Sequence, residues 1–135
     1  MVDTNVILDL FLAREPHVAE ARRLFEMIHA KEMTVFVTAN SITDIYYIIS
    51  KRTGDGFARN TVKQILETFG IIAVDGGDCI RALNLPITDF EDALVVACAD
   101  KEDIDYIVSN DSAFSQIDPT YATVVSPCDF LNRSI

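Results

Sequence analysis

The chain has 135 residues, half of them hydrophobic, with 11 lysines and arginines against 21 aspartates and glutamates and a formal net charge of -10. That length suits a single domain over 1–135, and the hydrophobic share excludes a disordered chain. The acidic balance favours solubility, opposes non-specific attraction to polyanions and says nothing of fold. No basic stretch precedes an apolar one, and no apolar run approaches the roughly 18 residues of a membrane span. A cytoplasmic protein with no membrane partner is therefore expected. Cys79, Cys98 and Cys128 are odd in number, far apart and without CxxC spacing. They argue against a structural zinc site or a disulfide framework and fit a reducing interior. Each lies among apolar neighbours and reads as a buried small hydrophobe.

The chain opens MVDTN and continues VILDLFLA, an apolar run broken only by Asp9, which suits a first helix. HVAEARRLFEMIHAK (17–31) suits a second, with Val18, Ala21, Leu24, Phe25 and Ile28 on one face. TVFVT (34–38) is a short strand. Residues 41–51 read as a helix apolar nearly all round, hence buried. Residues 60–69 form an amphipathic helix, IIAVD (71–75) a strand, and 78–85 a short helix. Residues 90–101 form another mostly apolar helix, and YIVSN (106–110) and TVVS (123–126) are strands rich in β-branched residues. Strands alternating with helices imply an α/β fold, three layers deep (α/β/α), around a central, mainly parallel sheet of about five strands. A central strand should be about five residues long, yet only Met1, Val2 and Asp3 precede the first helix. Either that strand is very short or a few N-terminal residues are missing.

The acids fall at the junctions of these elements. Asp3 ends the first strand, and Asp44 lies in the first turn of the helix at 41–51. Asp89 and Asp92 lie in the first turn of the helix at 90–101, and Asp111 follows YIVSN. A parallel sheet presents such positions at one edge, where ligands bind. Four or five carboxylates meeting there must be protonated or bridged by cations. Oxygen-only donors without histidine suit Mg²⁺ or Mn²⁺ better than zinc. Two such ions about 3.5 to 4 Å apart can serve phosphodiester cleavage. Capping competes with this reading. Ser41-Ile-Thr-Asp44 is similar to a capping box and Thr88-Asp-Phe-Glu91 has its full pattern, so Asp44, Asp89 and Glu91 could be helix-terminal acids. Capping does not account for Asp92, which is followed by ALVVACA. Asp111 could simply open a turn, and Asp3 could be an N-cap. His17 and His29 fall on a surface-like helix, and no protein nucleophile is visible.

In order and spacing, these residues resemble the PIN-domain nucleases nearly end to end. Asp3-Thr4-Asn5 matches the opening Asp-(Thr/Ser)-Asn, and Ser41-Ile-Thr-Asp44-Ile the acid on a helix after a serine. Asp92-Ala-Leu-Val-Val-Ala-Cys-Ala matches the acid before an Ala-rich helix, and Ser109-Asn110-Asp111 with Phe114 the strand ending in (Thr/Ser)-x-Asp. The tail SPCDFL resembles the closing strand and Pro-x-x-Phe-Leu segment. The chain departs from the pattern in having Asp44 where Glu is usual, neutral Asn110 where a basic residue is often found, and a truncated first strand.

The resemblance implies a PIN-like fold and a Mg²⁺- or Mn²⁺-dependent endoribonuclease, the toxin of a VapBC-type toxin–antitoxin pair. Asp3, Asp44, Asp92 and Asp111 would be the catalytic metal ligands, directly or through water, with Asp89 an auxiliary acid. Asn5, Ser41 and Ser109 would support them. Water activated by metal would hydrolyse the RNA phosphodiester in line. The implied partners are an RNA substrate, a cognate antitoxin anchored on exposed Phe, Tyr or Ile of the first two helices, and a second copy in a homodimer. Lys51, Arg52, Arg59 and Lys63 lie in a window holding one acid, Asp55, and are expected to border the cleft and touch phosphates. Arg14, Arg22 and Arg23 form a second basic patch, and no aromatic platform for base stacking stands out. Two other readings stay open: a catalytically weak PIN-like binding or scaffold module, and a phosphate-handling α/β enzyme. The last lacks the Asp-x-Asp spacing expected of an aspartyl-phosphate phosphatase.

Overall fold

The computed structural model describes residues 1–30 and 33–133. The elements in chain order are α1 (Thr4–Phe11), α2 (Val18–His29), β1 (Phe36–Thr38), α3 (Ala39–Thr53), α4 (Asp55–Thr68), β2 (Gly70–Ile72), α5 (Gly76–Leu83) and α6 (Phe90–Lys101). They are followed by β3 (Ile107–Val108), a 3-10 turn (Phe114–Gln116), β4 (Val124–Val125) and α7 (Pro127–Arg133).

The fold is α/β, with parallel pairing. β1 pairs with β2, and β3 with β4, both in parallel. The N-terminal segment lies between the pairs: Val2 N–H donates to Phe36 O and Asp3 N–H to Val108 O, each at 2.9 Å, and Val2 bridges Val108 in parallel. Four short strands and one bridge therefore stand, among the described residues, where a sheet of about five strands was expected. The first segment and β1 stop where an N-cap starts a helix, at Asp3 and Thr38, whereas β2 ends at Ile72, three residues before Asp75 caps α5.

Strand side chains alternate between two cores. Val2, Val37, Val108 and Val125 pack with the buried faces of α1, α2, α3 and α4. Met1, Ile72 and Ile107 pack with Val95, Val96, Cys98 and Ala99 of α6. This period-two alternation puts helices on both faces of the strands. Burying a Val, Leu or Ile side chain contributes roughly 1.5–3 kcal/mol, and Ile45→Ala, in a fully buried site, should cost about 2–5 kcal/mol. Gly70, opposite Phe36 in the β1–β2 register, leaves room for that ring: a Cβ there would sit 2.5 Å from it. Gly54, at φ +88°, makes the sharp turn between α3 and α4.

Several expectations are corrected. α3 is amphipathic, not buried all round: Ser41, Ile45 and Ile49 are buried at four-residue spacing, while Tyr47 on another face is exposed. Its N-cap is Thr38, so Ser41 is inside the helix and Ser41–Asp44 is no capping box. The N-cap of α6 is Asp89, not Thr88, so Thr88–Glu91 is no box either. The box that forms is Asp75–Asp78 at α5. α4 starts at Asp55, α5 at Gly76, and the Pro127 segment is helix α7. The buried face expected for α2 is the one observed, and the final residue of that expected helix, Lys31, lies outside the described residues. Of the cysteines, Cys98 is buried, Cys79 half-buried and Cys128 exposed, and all are free. Among the described residues no helix is long and apolar enough to cross a membrane.

Candidate active site

The carboxyl ends of the parallel segments point one way, and Asp3 is fastened there on all sides. Its N–H donates to Val108 O, one side-chain oxygen accepts from Thr4 N–H at 2.8 Å, and the other accepts from Ser109 Oγ at 2.8 Å. Ser109 follows β3 and is buried. Its hydroxyl also accepts from the Asp111 N–H at 3.0 Å and, at 3.5 Å, from Asn5 Nδ2. Asp111 turns the chain into the segment carrying buried Phe114, its own oxygen accepting from Ala113 N–H at 2.9 Å. From the other layer, Asp89 caps α6 by accepting from Asp92 N–H at 3.0 Å. Capping thus explains Asp89 and leaves the Asp92 carboxyl unspoken for. Asp92 is half-buried at the head of a run, Ala93 to Ala99, that is wholly buried.

The acids act on one another. Burial first, then Asp89, Asp3, Asp111 and Glu91, push the Asp92 carboxyl up to about 7. Burial also raises Asp3, Ser109 and Thr4 oppose the rise, and Asp111 and Asp89 add to it. Glu91 is raised by burial, then by Asp44, Asp3 and Asp89. The structure therefore sets Asp3, Asp89, Asp92 and Asp111 in one field of like charge. Asp44, on α3, joins that field through Glu91. Glu91 had been read only as a helix-terminal acid. Its signal in the sequence was its place between Asp89 and Asp92.

Ser41 does not bond to a carboxylate. Its hydroxyl is held by Thr38 Oγ1 at 2.9 Å and receives the Thr4 hydroxyl at 3.1 Å, so it ties the start of α3 to the start of α1. Asn5 reaches Ser109 Oγ and accepts from the Asn110 N–H at 3.4 Å.

The donor set is all oxygen and carries more negative charge than the fold offsets, which fits a hard divalent cation such as Mg²⁺ or Mn²⁺. Among the described residues, no three His, Cys, Asp or Glu side chains stand close enough to hold one ion as placed. The chemistry of the donors fits an ion, and the side chains would have to draw together around it.

The basic residues form a separate feature. Lys51, Arg52, Arg59 and Lys63 are all exposed. Lys51 Nζ stands 4.3 Å from the centre of the Tyr47 ring, and Arg59 stands 5.8 Å from that of Tyr46. Tyr46, Arg59, Val62, Lys63, Leu66 and Glu67 line a groove of about 480 Å³ between α3 and α4. The rings of Tyr46 and Tyr47 each carry one of these cations. They were hidden in the sequence because the pairing runs partly across helices. The second patch is corrected: Arg14 is bound to Asp9 and to Asn5 O, whereas Arg22 and Arg23 are exposed on α2. The expected anchors on the first two helices are corrected too. Among the described residues, the exposed large apolar ones are Tyr47, Phe57, Leu66, Ile71, Ile80, Leu83, Phe90 and Tyr121, none of them on α1 or α2.

A strand-end aspartate capping α1, a second acid layer on α6 and a Ser-Asn-Asp turn after β3 form the same ordered set that the sequence carries. A family model described as PIN domain matches residues 1–113, and the chain belongs to the PIN domain family. It is similar over 97% of its length to Ribonuclease VapC1 of Aquifex aeolicus (strain VF5), with 27% identity over 136 residues and 94% of that protein covered. Its fold is similar to a chain in the crystal structure of VapBC2 from Rickettsia felis bound to a DNA fragment from their promoter. There the TM-score is 0.68 at 17% identity, covering 93% of this chain and 96% of that one. It is also similar in fold to Mycobacterium tuberculosis VapC20, described as a Sarcin-Ricin loop cleaving toxin. There the TM-score is 0.65 at 17% identity, covering 90% of this chain and 91% of that one.

Proposed function

We propose that this protein is a divalent-metal-dependent endoribonuclease, a single cytoplasmic PIN-like domain over 1–135 acting as the toxin of a toxin–antitoxin pair. The observation that carries the reading is the set of uncompensated acids at the ends of the parallel segments, with Asp92 held near a pKa of about 7. The likeness to a VapC ribonuclease along almost the whole chain supports it.

In this reading Asp3, Asp44, Asp92 and Asp111 hold Mg²⁺ or Mn²⁺, and Asp89 and Glu91 supply further negative charge. When bound, such an ion lowers the pKa of water and offsets charge developing on the scissile phosphate. The chain does the rest by orientation. Ser109 fixes the Asp3 carboxylate, and Asp89 fixes the first turn of α6 and thereby Asp92. Asn5 is within reach of the Ser109–Asn110 segment. Lys51, Arg52, Arg59 and Lys63 take phosphates along the α3–α4 groove, with Tyr46 and Tyr47 offering faces to unpaired bases. A cognate antitoxin and a second copy of the chain use exposed apolar residues such as Ile80 and Leu83 on α5.

The test is cleavage of a pool of structured and unstructured RNA with Mn²⁺, Mg²⁺ or EDTA, for the wild type and Asp92→Asn. Metal-dependent cleavage lost in Asp92→Asn is the expected result. Cleavage surviving both EDTA and the substitution would sink the mechanism. No cleavage under any condition, with no thermal stabilisation by Mn²⁺, would favour the scaffold reading.

A further inference from the structure

Asp9, which breaks the first apolar run, is only 3% exposed. A carboxylate so buried is tolerated only when paired and hydrogen-bonded. Both of its oxygens are used. Oδ1 accepts from Arg14 Nε at 2.9 Å, and Oδ2 accepts from Asn110 Nδ2 at 2.6 Å. Arg14 reaches back because α1 ends in a tight reversal. Ala13 takes a left-handed φ of 49°, and Arg14 N–H donates to Asp9 O at 3.0 Å. The second arm of the guanidinium then donates to Asn5 O at 2.9 Å. The two sides of Asp9 thus face different parts of the molecule. One side is the end of α1. The other is Asn110, which lies between Ser109, whose hydroxyl orients Asp3, and Asp111.

The remaining ties on Asn110 and Ser109 from α1 are long: 3.4 Å from Asn110 N to Asn5 Oδ1 and 3.5 Å from Asn5 Nδ2 to Ser109 Oγ. The short bond from Asn110 to Asp9 is therefore the firm link from within α1 to the turn carrying Asp111, beside the 2.8 Å bond from Ser109 Oγ to Asp3 at the N-cap. An amide can donate to Asp9 but cannot neutralise it, so the charge is matched by Arg14 alone within this network. We infer that Arg14 is a positioning residue: through Asp9 and Asn110 it holds the Ser109–Asp111 turn, and so the relative placement of Asp3 and Asp111. This inference rests on the reading of that edge as the ribonuclease site.

The experiment compares Arg14→Gln, Arg14→Lys and the double variant Arg14→Gln/Asn110→Lys with wild type, and uses Glu26→Gln on the exposed face of α2 as control. Two quantities are measured well below each melting temperature: hydrogen exchange of the Asn110 and Asp111 amides without metal, and kcat and KM on RNA with Mn²⁺. Arg14→Gln should speed exchange at the Asp111 amide and lower kcat about 10- to 100-fold, the scale set by groups that orient metal ligands, with KM little changed. Asn110→Lys in the same chain brings a cation to Asp9 from its other side and should recover most of both losses. Arg14→Lys keeps the charge but loses one arm of the guanidinium, and should fall between. It also stands in should Arg14→Gln not fold. Wild-type exchange and kcat in folded Arg14→Gln, or in Arg14→Lys if it alone folds, would overturn the proposal. So would a loss appearing in KM alone. If the wild type cleaves no RNA, the ribonuclease reading fails, while the amide exchange still decides whether Arg14 holds the turn.

Discussion

Two clusters of carboxylates in this molecule are built from the same residue type and behave oppositely. Asp78 is 1% exposed, deeper than Asp92, yet its carboxyl lies far below the usual carboxylate range. Lys101 Nζ donates to it at 2.8 Å, Asp75 N–H at 2.9 Å, and Arg81 pairs with its other oxygen. Lys101 also donates to Ala73 O at 2.7 Å, so the cluster fastens α5, the end of α6 and the chain after β2. The side chains that act on Asp92 are Asp89, Asp3, Asp111 and Glu91, all acids, and with burial they push its pKa up. Burial alone does not separate a paired structural acid from one set among like charges. The sign of the surrounding charge does.

The largest effect that would sharpen this contrast is in Asp92→Asn. RNA cleavage should fall by at least about 100-fold, beyond the range set by mere outer-shell partners of a metal. The melting temperature without metal should not fall, because the substitution relieves repulsion and keeps the N–H that bonds to Asp89. A large drop in melting temperature with activity retained would reverse the roles of the two clusters.

Asp78→Asn should do the opposite. It removes the charge that Lys101 and Arg81 share and should cost about 1–3 kcal/mol, because both cations can regain water. That corresponds to roughly 3–15 °C in melting temperature for a chain of this size. Activity per folded molecule should be kept, as measured by cleavage after correction for the folded fraction.

The same group sets a pH dependence. The Asp78 pKa is lower folded than unfolded, so its stabilisation is fully present above the unfolded carboxylate value of about 3.9 and is lost as pH falls through the folded value. Urea midpoints at pH 7 and pH 3 should differ more for wild type than for Asp78→Asn. Equal differences would mean that the Lys101–Asp78–Arg81 cluster contributes nothing in acid.

The smallest effect belongs to the surface cations. Lys63→Gln and Arg59→Gln should each weaken RNA binding several-fold and lower the salt slope by about one, with kcat unchanged. A slope that stays constant would remove the α3–α4 groove from the substrate path.

Much of the fold was legible because periodicity reports burial directly. The apolar face of α2 follows from it, and the extent of α6 follows from a continuous apolar run, whereas the alternation of strand side chains between two cores appeared only in the fold. Boundaries were less legible wherever several residues could cap. Thr88 and Asp89 both suit an N-cap, and the local sequence contains nothing that prefers one. The face of α3 was misread because Tyr46, Tyr47 and Ile48 are apolar by type, whereas only Ser41, Ile45 and Ile49 are fully buried, Ile42, Tyr46 and Ile48 packing partly exposed at the core's margin and Tyr47 facing out.

By itself, the sequence determined that acids would stand where parallel strands give way to helices, because capping, strand ends and the apolar runs are all local. It also determined the family, through residue types in a fixed order. Only the tertiary structure decided which acids face other acids and which face cations. Asp78 meets Lys101 from 23 residues away and Asp9 meets Asn110 from 101 residues away, and no local pattern encodes such distances. The structure also decided that Arg14, half-buried, is bound to a buried carboxylate and not free on a surface patch, since a turn only a few residues long carries it back along α1.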